Sequence, residues 1–197
     1  MANTMSSGDK SHLAILASGT GSNADRICKY FADHHSICVS LIITNRSKAG
    51  VLQVAQQYGA QSTVIPKSAW SQPEFVLPLL HANKITHLIL AGFLLLLPSW
   101  LVNEFKGRIL NIHPALLPKY GGYGMHGIHV HEKVKESGDR ESGITIHEVN
   151  EQYDDGRIIF QKFTDIEPTD DVSDISNKVL KLEHYYYPRV IEKWISG

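Results

Sequence analysis

Beyond Arg108, two polar side chains interrupt the otherwise apolar run in residues 107–118, GRILNIHPALLP. They are Asn111 and His113. In an extended chain, side chains two apart share a face, so this amide and this imidazole project together while Leu110 and Ile112 point the other way. Pro114 withholds the next ladder donor and ends the strand. An amide that both donates and accepts then stands beside a ring that moves protons. Strand carboxyl ends are where open α/β sheets hold their ligands, so the pair is placed for chemistry. Its plain alternative is to satisfy loop backbone groups. Acids in turns usually bond local amides, and residues 150–156, NEQYDDG, form such a turn. An acid from that turn brought near His113 would have a second use, tuning the imidazole or activating water.

A second candidate lies at residues 18–23, SGTGSN, between an apolar strand-like run (12–18) and a helix-like stretch (24–33). Helix N-termini offer unpaired amides and the positive dipole end, which suits a phosphate. Gly19 and Gly21 permit the close turn, and Ser22 or Asn23 caps the helix or adds donors. Ala24 stands where a dinucleotide fingerprint would have its third glycine, and no Lys-Ser/Thr pair follows. A phosphomonoester therefore fits better than a dinucleotide. The final helix, residues 174–196, carries Ile175, Val179, Leu182 and Tyr186 at helical spacing. Glu183 lies close to that stripe, either as a ligand group or on a solvated face. Asp170 and Asp171 suit the helix start, and Pro188 is expected to kink it.

The elements that must position these groups read as strands alternating with helices. Strands are expected at 37–44, 62–66, 88–90, 142–149 and 157–163, with helices near 48–58, 73–83, 99–105 and 128–136. Such alternation implies right-handed crossovers and a mostly parallel sheet, hence an α/β fold with a Rossmann-like twisted sheet covered by helices on both faces. The late strands join through a hairpin-like Asp-Gly turn. Leu94, Leu95, Leu96 and Leu97 leave the sheet beside the crevice, as core or as a wall for a flat organic ligand. Residues 119–127, with four glycines and two tyrosines, make a loop of the kind that shapes binding sites.

The 197 residues, 43% of them apolar, suit one large domain with a sizeable core. A net charge of −1 argues against a general nucleic-acid or membrane surface. Cys28 and Cys38 read as buried thiols of a reducing cytosol. His113, His126, His129, His131 and His147 match no zinc spacing, so no metal is expected. The start, residues 1–10, is polar and expected to fray. No targeting or spanning run is evident, which makes the expectation a cytoplasmic protein.

In order along the chain stand SGTGSN at 18–23, NIHPALLP at 111–118, Asp154 in the late turn, and Leu182-Glu183-His184 followed by Tyr187-Pro188. With these the chain resembles the phosphoribosylglycinamide formyltransferase family over essentially its whole length. The Asn-x-His-Pro-x-Leu-Leu-Pro motif is specific to the formyl-tetrahydrofolate enzymes, and the Gly-Ser-Asn turn selects within them. The resemblance implies a formyltransferase fold with antiparallel late strands, a phosphate half at about 11–105, and a catalytic and folate half at about 106–197. It implies transfer of a formyl group from 10-formyltetrahydrofolate to the amine of 5′-phosphoribosylglycinamide, in de novo purine biosynthesis. By position, Gly21, Ser22 and Asn23 would hold the phosphate and Glu183 the ribose hydroxyls. Asn111, His113 and Asp154 would form the catalytic trio. Leu94–Leu97, Asn111 and the loop around Asp154 would receive the pterin.

The trio has a physical rationale. Attack on a formamide builds an oxyanion, which the Asn111 N–H and a protonated His113 would meet, with Asp154 raising the imidazole's pKa. The implied partners are small molecules alone, with no nucleic acid or membrane, and the protein as monomer or homodimer. The chain departs from the family in three places. Leucines fill 94–97, where many relatives place a basic residue. Residues 121–130 are several positions longer than in compact bacterial members. Asp154-Asp155-Gly156 replaces an Asp-Gly-Gly. Within the wider family, a methionyl-tRNA formyltransferase would carry a further RNA-binding domain and a formyltetrahydrofolate hydrolase an N-terminal regulatory one. A catalytically silent nucleotide-binding module is the alternative from another class.

Overall fold

The computed structural model describes residues 10–197. The fraying expected of the start falls on residues 1–9, outside the described residues. Five strands run parallel: β1 (Ser11–Leu16), β2 (Ile37–Thr44), β3 (Gln61–Val64), β4 (His87–Leu90) and β5 (Ile109–His113). β6 (Glu141–Glu148) and β7 (Ile158–Asp165) then add antiparallel, completing a seven-stranded sheet ordered β3-β2-β1-β4-β5-β6-β7. The expected fold class is thus the observed one.

The sequence period explains the layers. Leu13 and Ile15 of β1 face one side, Ala14 and Leu16 the other, and all four are fully buried. The first side joins α1 (Ser22–Phe31), α2 (Val51–Tyr58) and α6 (Val172–Ser196) through Ile27, Phe31, Val51, Val179 and Ile191. The second joins α3 (Pro73–Ala82) and α4 (Ser99–Glu104) through Val76, Leu80 and Leu101. Each such side chain removed from water contributes about 1.5–3 kcal/mol. α5 (Ile128–Ser137) lies against α6, with Val134 beside Ile175. Among the described residues, no helix is long and apolar enough to cross a membrane.

Strand order reverses between β1 and β4, and the crevice beyond their carboxyl ends is where such sheets take ligands. Ser18 organises that crevice. Its N–H donates to the Gly92 carbonyl at 2.9 Å, its hydroxyl to Asn45 Oδ1 at 2.6 Å, and it accepts the Leu94 N–H at 3.0 Å. α6 starts in a reciprocal cap, Asp171 accepting the Asp174 N–H and Asp174 the Asp171 N–H. It stays one helix across Pro188, held to the sheet by Val179, Tyr187 and Ile191. The Tyr187 hydroxyl, fully buried, lies 2.8 Å from the Leu90 carbonyl and 3.1 Å from that of Leu110. Cys28 is buried, its thiol pushed up to about 12 by burial first and by Asp25 second. Cys38 differs from expectation in being half-exposed, at the solvent-facing start of β2.

Candidate active site

β5 ends at His113, as Pro114 requires, and the antiparallel register pairs Asn111 with His147 and His113 with Thr145. Thr145 anchors the proline-flanked turn that follows. Its hydroxyl donates to the Ala115 carbonyl at 2.7 Å and accepts the Leu117 N–H at 2.9 Å. The β6–β7 turn returns Asp154 to the same place. Asp154 Oδ2 lies 3.5 Å from His113 Nδ1 and Oδ1 lies 3.7 Å from His147 Nε2. Asp155, the neighbouring acid of the turn, is exposed and takes the Asn150 amide at 3.1 Å. The turn is tight: Asp154 itself has φ 52°, and a Cβ on Gly156 would fall 1.7 Å from the Glu148 carbonyl oxygen.

The hydrogen bonds set the ring tautomers. His113 Nε2 lies 2.8 Å from the Tyr120 carbonyl, which can only accept, so Nε2 carries the hydrogen. In the neutral ring Nδ1 is then bare and faces Asp154. The Gly122 N–H donates to Asp154 Oδ2 at 3.0 Å, so the glycine loop holds both partners. His113 is 3% exposed, and its pKa is lowered. Desolvation is the largest cause. The charge of Asp154 and the Tyr120 hydrogen bond pull upward without overcoming it, and His147 adds to the fall. This corrects the expected direction: Asp154 does raise the ring's pKa, but burial outweighs it and the neutral form is favoured. Asp154 itself is raised by burial, then held below the usual carboxylate value overall by His147, the charge of His113 and the Gly122 N–H.

These groups open onto a cavity of about 850 Å³, whose wall includes Asn23, Asn111, His113, Asp154 and Glu183. Leu94, Leu95 and Leu96 form part of the wall beside Phe93 and Trp70, whose rings lie 5.0 Å apart. Leu97 does not: it is 3% exposed and turned into the core beside Leu101 and Phe105. The chain enters α4 there, and the helix needs an apolar anchor under its first turn.

The glycine turn departs from expectation in its details. Gly21, at φ 85°, is itself the N-cap of α1, which has no side-chain cap. A Cβ on it would lie 2.8 Å from Val51 Cα, so glycine alone fits. Ser22 and Asn23 are the first helical residues, leaving the amides of that turn for a ligand. Gly21 and Ser22 are not on the cavity wall; Asn23 is, and it is buried. Its Nδ2 donates to Glu183 Oε2 at 2.8 Å, while its Oδ1 is buried without a partner. Glu183 falls on the buried face of α6, between Val179 and Tyr187. Burial lifts its carboxyl to about 7, against the pull of the Asn23 amide.

Two residues escaped the sequence reading, one on the wall and one behind it. His131, 5% exposed on α5, has Nδ1 buried without a partner. His147 touches Asn111 directly. Both stood among the histidines weighed for metal, and the two-residue period of β6 puts His147 on the face of Thr145. What that period lacks is the register against β5. Among the described residues no group of three or more His, Cys, Asp or Glu is placed to hold a metal ion.

Residues 11–191 match the formyl transferase family. The chloroplastic phosphoribosylglycinamide formyltransferase of Arabidopsis thaliana is 40% identical over 185 residues, 91% of this chain and 63% of its own length. That of Vigna unguiculata is 38% identical over 188 residues, 91% and 59%. The chain thus spans about three-fifths of the curated relatives it matches. The crystal structure of phosphoribosylglycinamide formyltransferase from Bacillus halodurans superposes with a TM-score of 0.85 at 31% identity, over 94% of this chain and 96% of that one. The family match spans nearly all the described residues and the fold superposes over nearly the whole chain, so the chain belongs to the formyl transferase family.

Proposed function

We propose that the protein transfers the formyl group of 10-formyltetrahydrofolate to the primary amine of 5′-phosphoribosylglycinamide, a step of de novo purine biosynthesis. The observation that carries this reading is the meeting of Asn111, His113 and Asp154 on the wall of a cavity that also holds Asn23 and Glu183. In this reading the amides at the start of α1 take the phosphate. Glu183, with Asn23, takes the ribose hydroxyls. Leu94–Leu96, Phe93 and Trp70 offer an apolar face to the pterin. Small molecules are the only partners invoked, and the setting is cytoplasmic.

The chemistry follows from the tautomers. The incoming ammonium must shed one proton before it can attack, and the bare Nδ1 of His113 beside ionised Asp154 is placed to take it. Attack forms the new C–N bond and turns the formyl oxygen into an oxyanion. The Asn111 N–H and the newly protonated Nδ1–H face that charge. Collapse breaks the bond to the folate nitrogen, which takes the second amine proton as it leaves, and His113 then gives the first proton to solvent, so one proton is released per turnover. The imidazolium is thus made during the reaction rather than stored in the resting enzyme. No covalent enzyme intermediate is needed, because the amine is the nucleophile. Ultraviolet assay of formyl-folate consumption tests the reading: loss of donor should require the phosphoribosyl amine. Equal loss without amine would make the protein a hydrolase, and no loss a silent binder.

A further inference from the structure

Of the two buried rings the mechanism leaves unused, one touches a reacting group. His147 is 2% exposed and pairs across the β5–β6 ladder with Asn111. Its Nδ1 lies 2.8 Å from the Glu148 carbonyl oxygen, so Nδ1 carries the hydrogen and Nε2 of the neutral ring is a bare acceptor. In front of that acceptor, 3.0 Å away, is Asn111 Nδ2. An asparagine amide has two nearly isosteric orientations, and a bare ring nitrogen accepts from only one of them. Asp154 Oδ1, 3.7 Å from the same nitrogen, is beyond hydrogen-bond range and so does not hold a hydrogen on Nε2. The backbone is built to aim the ring. The β6–β7 register slips between Ile146 and His147, as at a bulge that re-aims a side chain, and Gly156 leaves room for the Glu148 carbonyl.

We infer that His147 is a positioning residue: its Nε2 holds the Asn111 carboxamide in the one orientation that offers the second Nδ2 hydrogen to the reacting formyl oxygen. The role of the amide rests on the formyl-transfer reading, whereas the hydrogen bond rests on geometry alone. The test is a cycle of His147→Ala and His147→Gln in the wild-type and Asn111→Ala backgrounds. Alanine in the wild-type background should lower kcat by about tenfold to a hundredfold, less than loss of the donor itself. KM for both substrates should stay within about twofold. Glutamine, whose amide oxygen can accept from Asn111, should restore most of kcat. In the Asn111→Ala background, His147→Ala should change kcat by less than about twofold. Equal losses in both backgrounds, or a loss confined to KM, would overturn the assignment.

A second arm needs neither turnover nor a substitution at His147. Long-range proton–nitrogen spectra should show His147 as the Nδ1–H tautomer, with an Nε2 resonance that moves on Asn111→Ala. An Nε2–H ring, or an unmoved resonance, would overturn it. A wild-type enzyme without turnover would instead defeat the formyl-transfer reading, with this arm still deciding the hydrogen bond.

Discussion

Two carboxyls, one buried and one half-buried, line one cavity and are driven in opposite directions. Glu183 has one amide partner and a helix face of Val179 and Tyr187 around it, and its pKa climbs to about 7. Asp154 is also desolvated, but two imidazoles and a backbone N–H stand around it, and its pKa falls. Burial penalises the charged form of both, more at Glu183 than at Asp154, and the number and charge of the partners add to that difference in deciding which form survives. The carboxylate that the formyl-transfer reading makes catalytic is the one its neighbours favour in the ionised form. The other is left short of partners, a deficit that a ligand's hydroxyls can make up.

The sharpest way to break this comparison is to remove the charge of Asp154. Asp154→Asn should lower kcat by about 10²–10³, the scale of losing one stabilising group in an acyl transfer. It should also move the His113 titration further down, since Asp154 is the leading cause that raises it. A His113 midpoint that rises or stays would sink the account. Asn111→Ala and His113→Ala should lose turnover on the same scale while a phosphate ligand still binds. Gly156→Ala comes next. The new Cβ cannot share space with the Glu148 carbonyl, so the turn carrying Asp154 must shift, at about 1–3 kcal/mol in thermal unfolding. An unchanged melting temperature with full activity would show that the turn is not fixed.

Glu183→Gln probes the other member. A raised carboxyl favours the neutral form in the fold, so its contribution is whole below 4.5 and lost as pH rises through about 7. Glutamine removes that loss, and the variant should melt about 4 °C higher at pH 8 while binding the phosphoribosyl amine more weakly. A melting point that does not rise would refute the buried-charge account. His113 has the opposite sign: its lowered pKa gives stability that is present above 6.5 and lost as pH falls. The smallest effect is expected at Lys67, a cation on the cavity wall near Trp70. Lys67→Ala should raise KM about threefold for a folate with its glutamate tail and leave a tail-less donor unaffected, the scale of an exposed charge contact. Equal KM changes for both donors would count against it.

Much of this was legible in the chain. The run His12–Ala17 and its successors gave parallel strands because buried-on-both-faces segments read as unbroken apolar stretches. Residues 111–118 exposed the catalytic strand end because Pro114 marks where pairing stops. What escaped depended on distance in sequence. Nothing local says that His147 faces Asn111, because strand register is set by the whole sheet. Nor does local sequence say that Leu97 turns inward while Leu94–Leu96 do not, since four like residues carry no internal contrast. The direction of the His113 shift was missed for a related reason. The sequence supplied the acid at Asp154 but not the degree of burial that overrides it.

The shared contact of Tyr187 has a mechanical result. One phenol touches the carbonyls of Leu90 and Leu110, the latter next to Asn111, and sits one turn beyond Glu183 on the same helix. The sugar-side acid and the reacting amide are therefore bolted to a common frame. In the formyl-transfer reading, the gap between them would act as a gauge of fixed length, sorting ligands by the span from hydroxyl to amine.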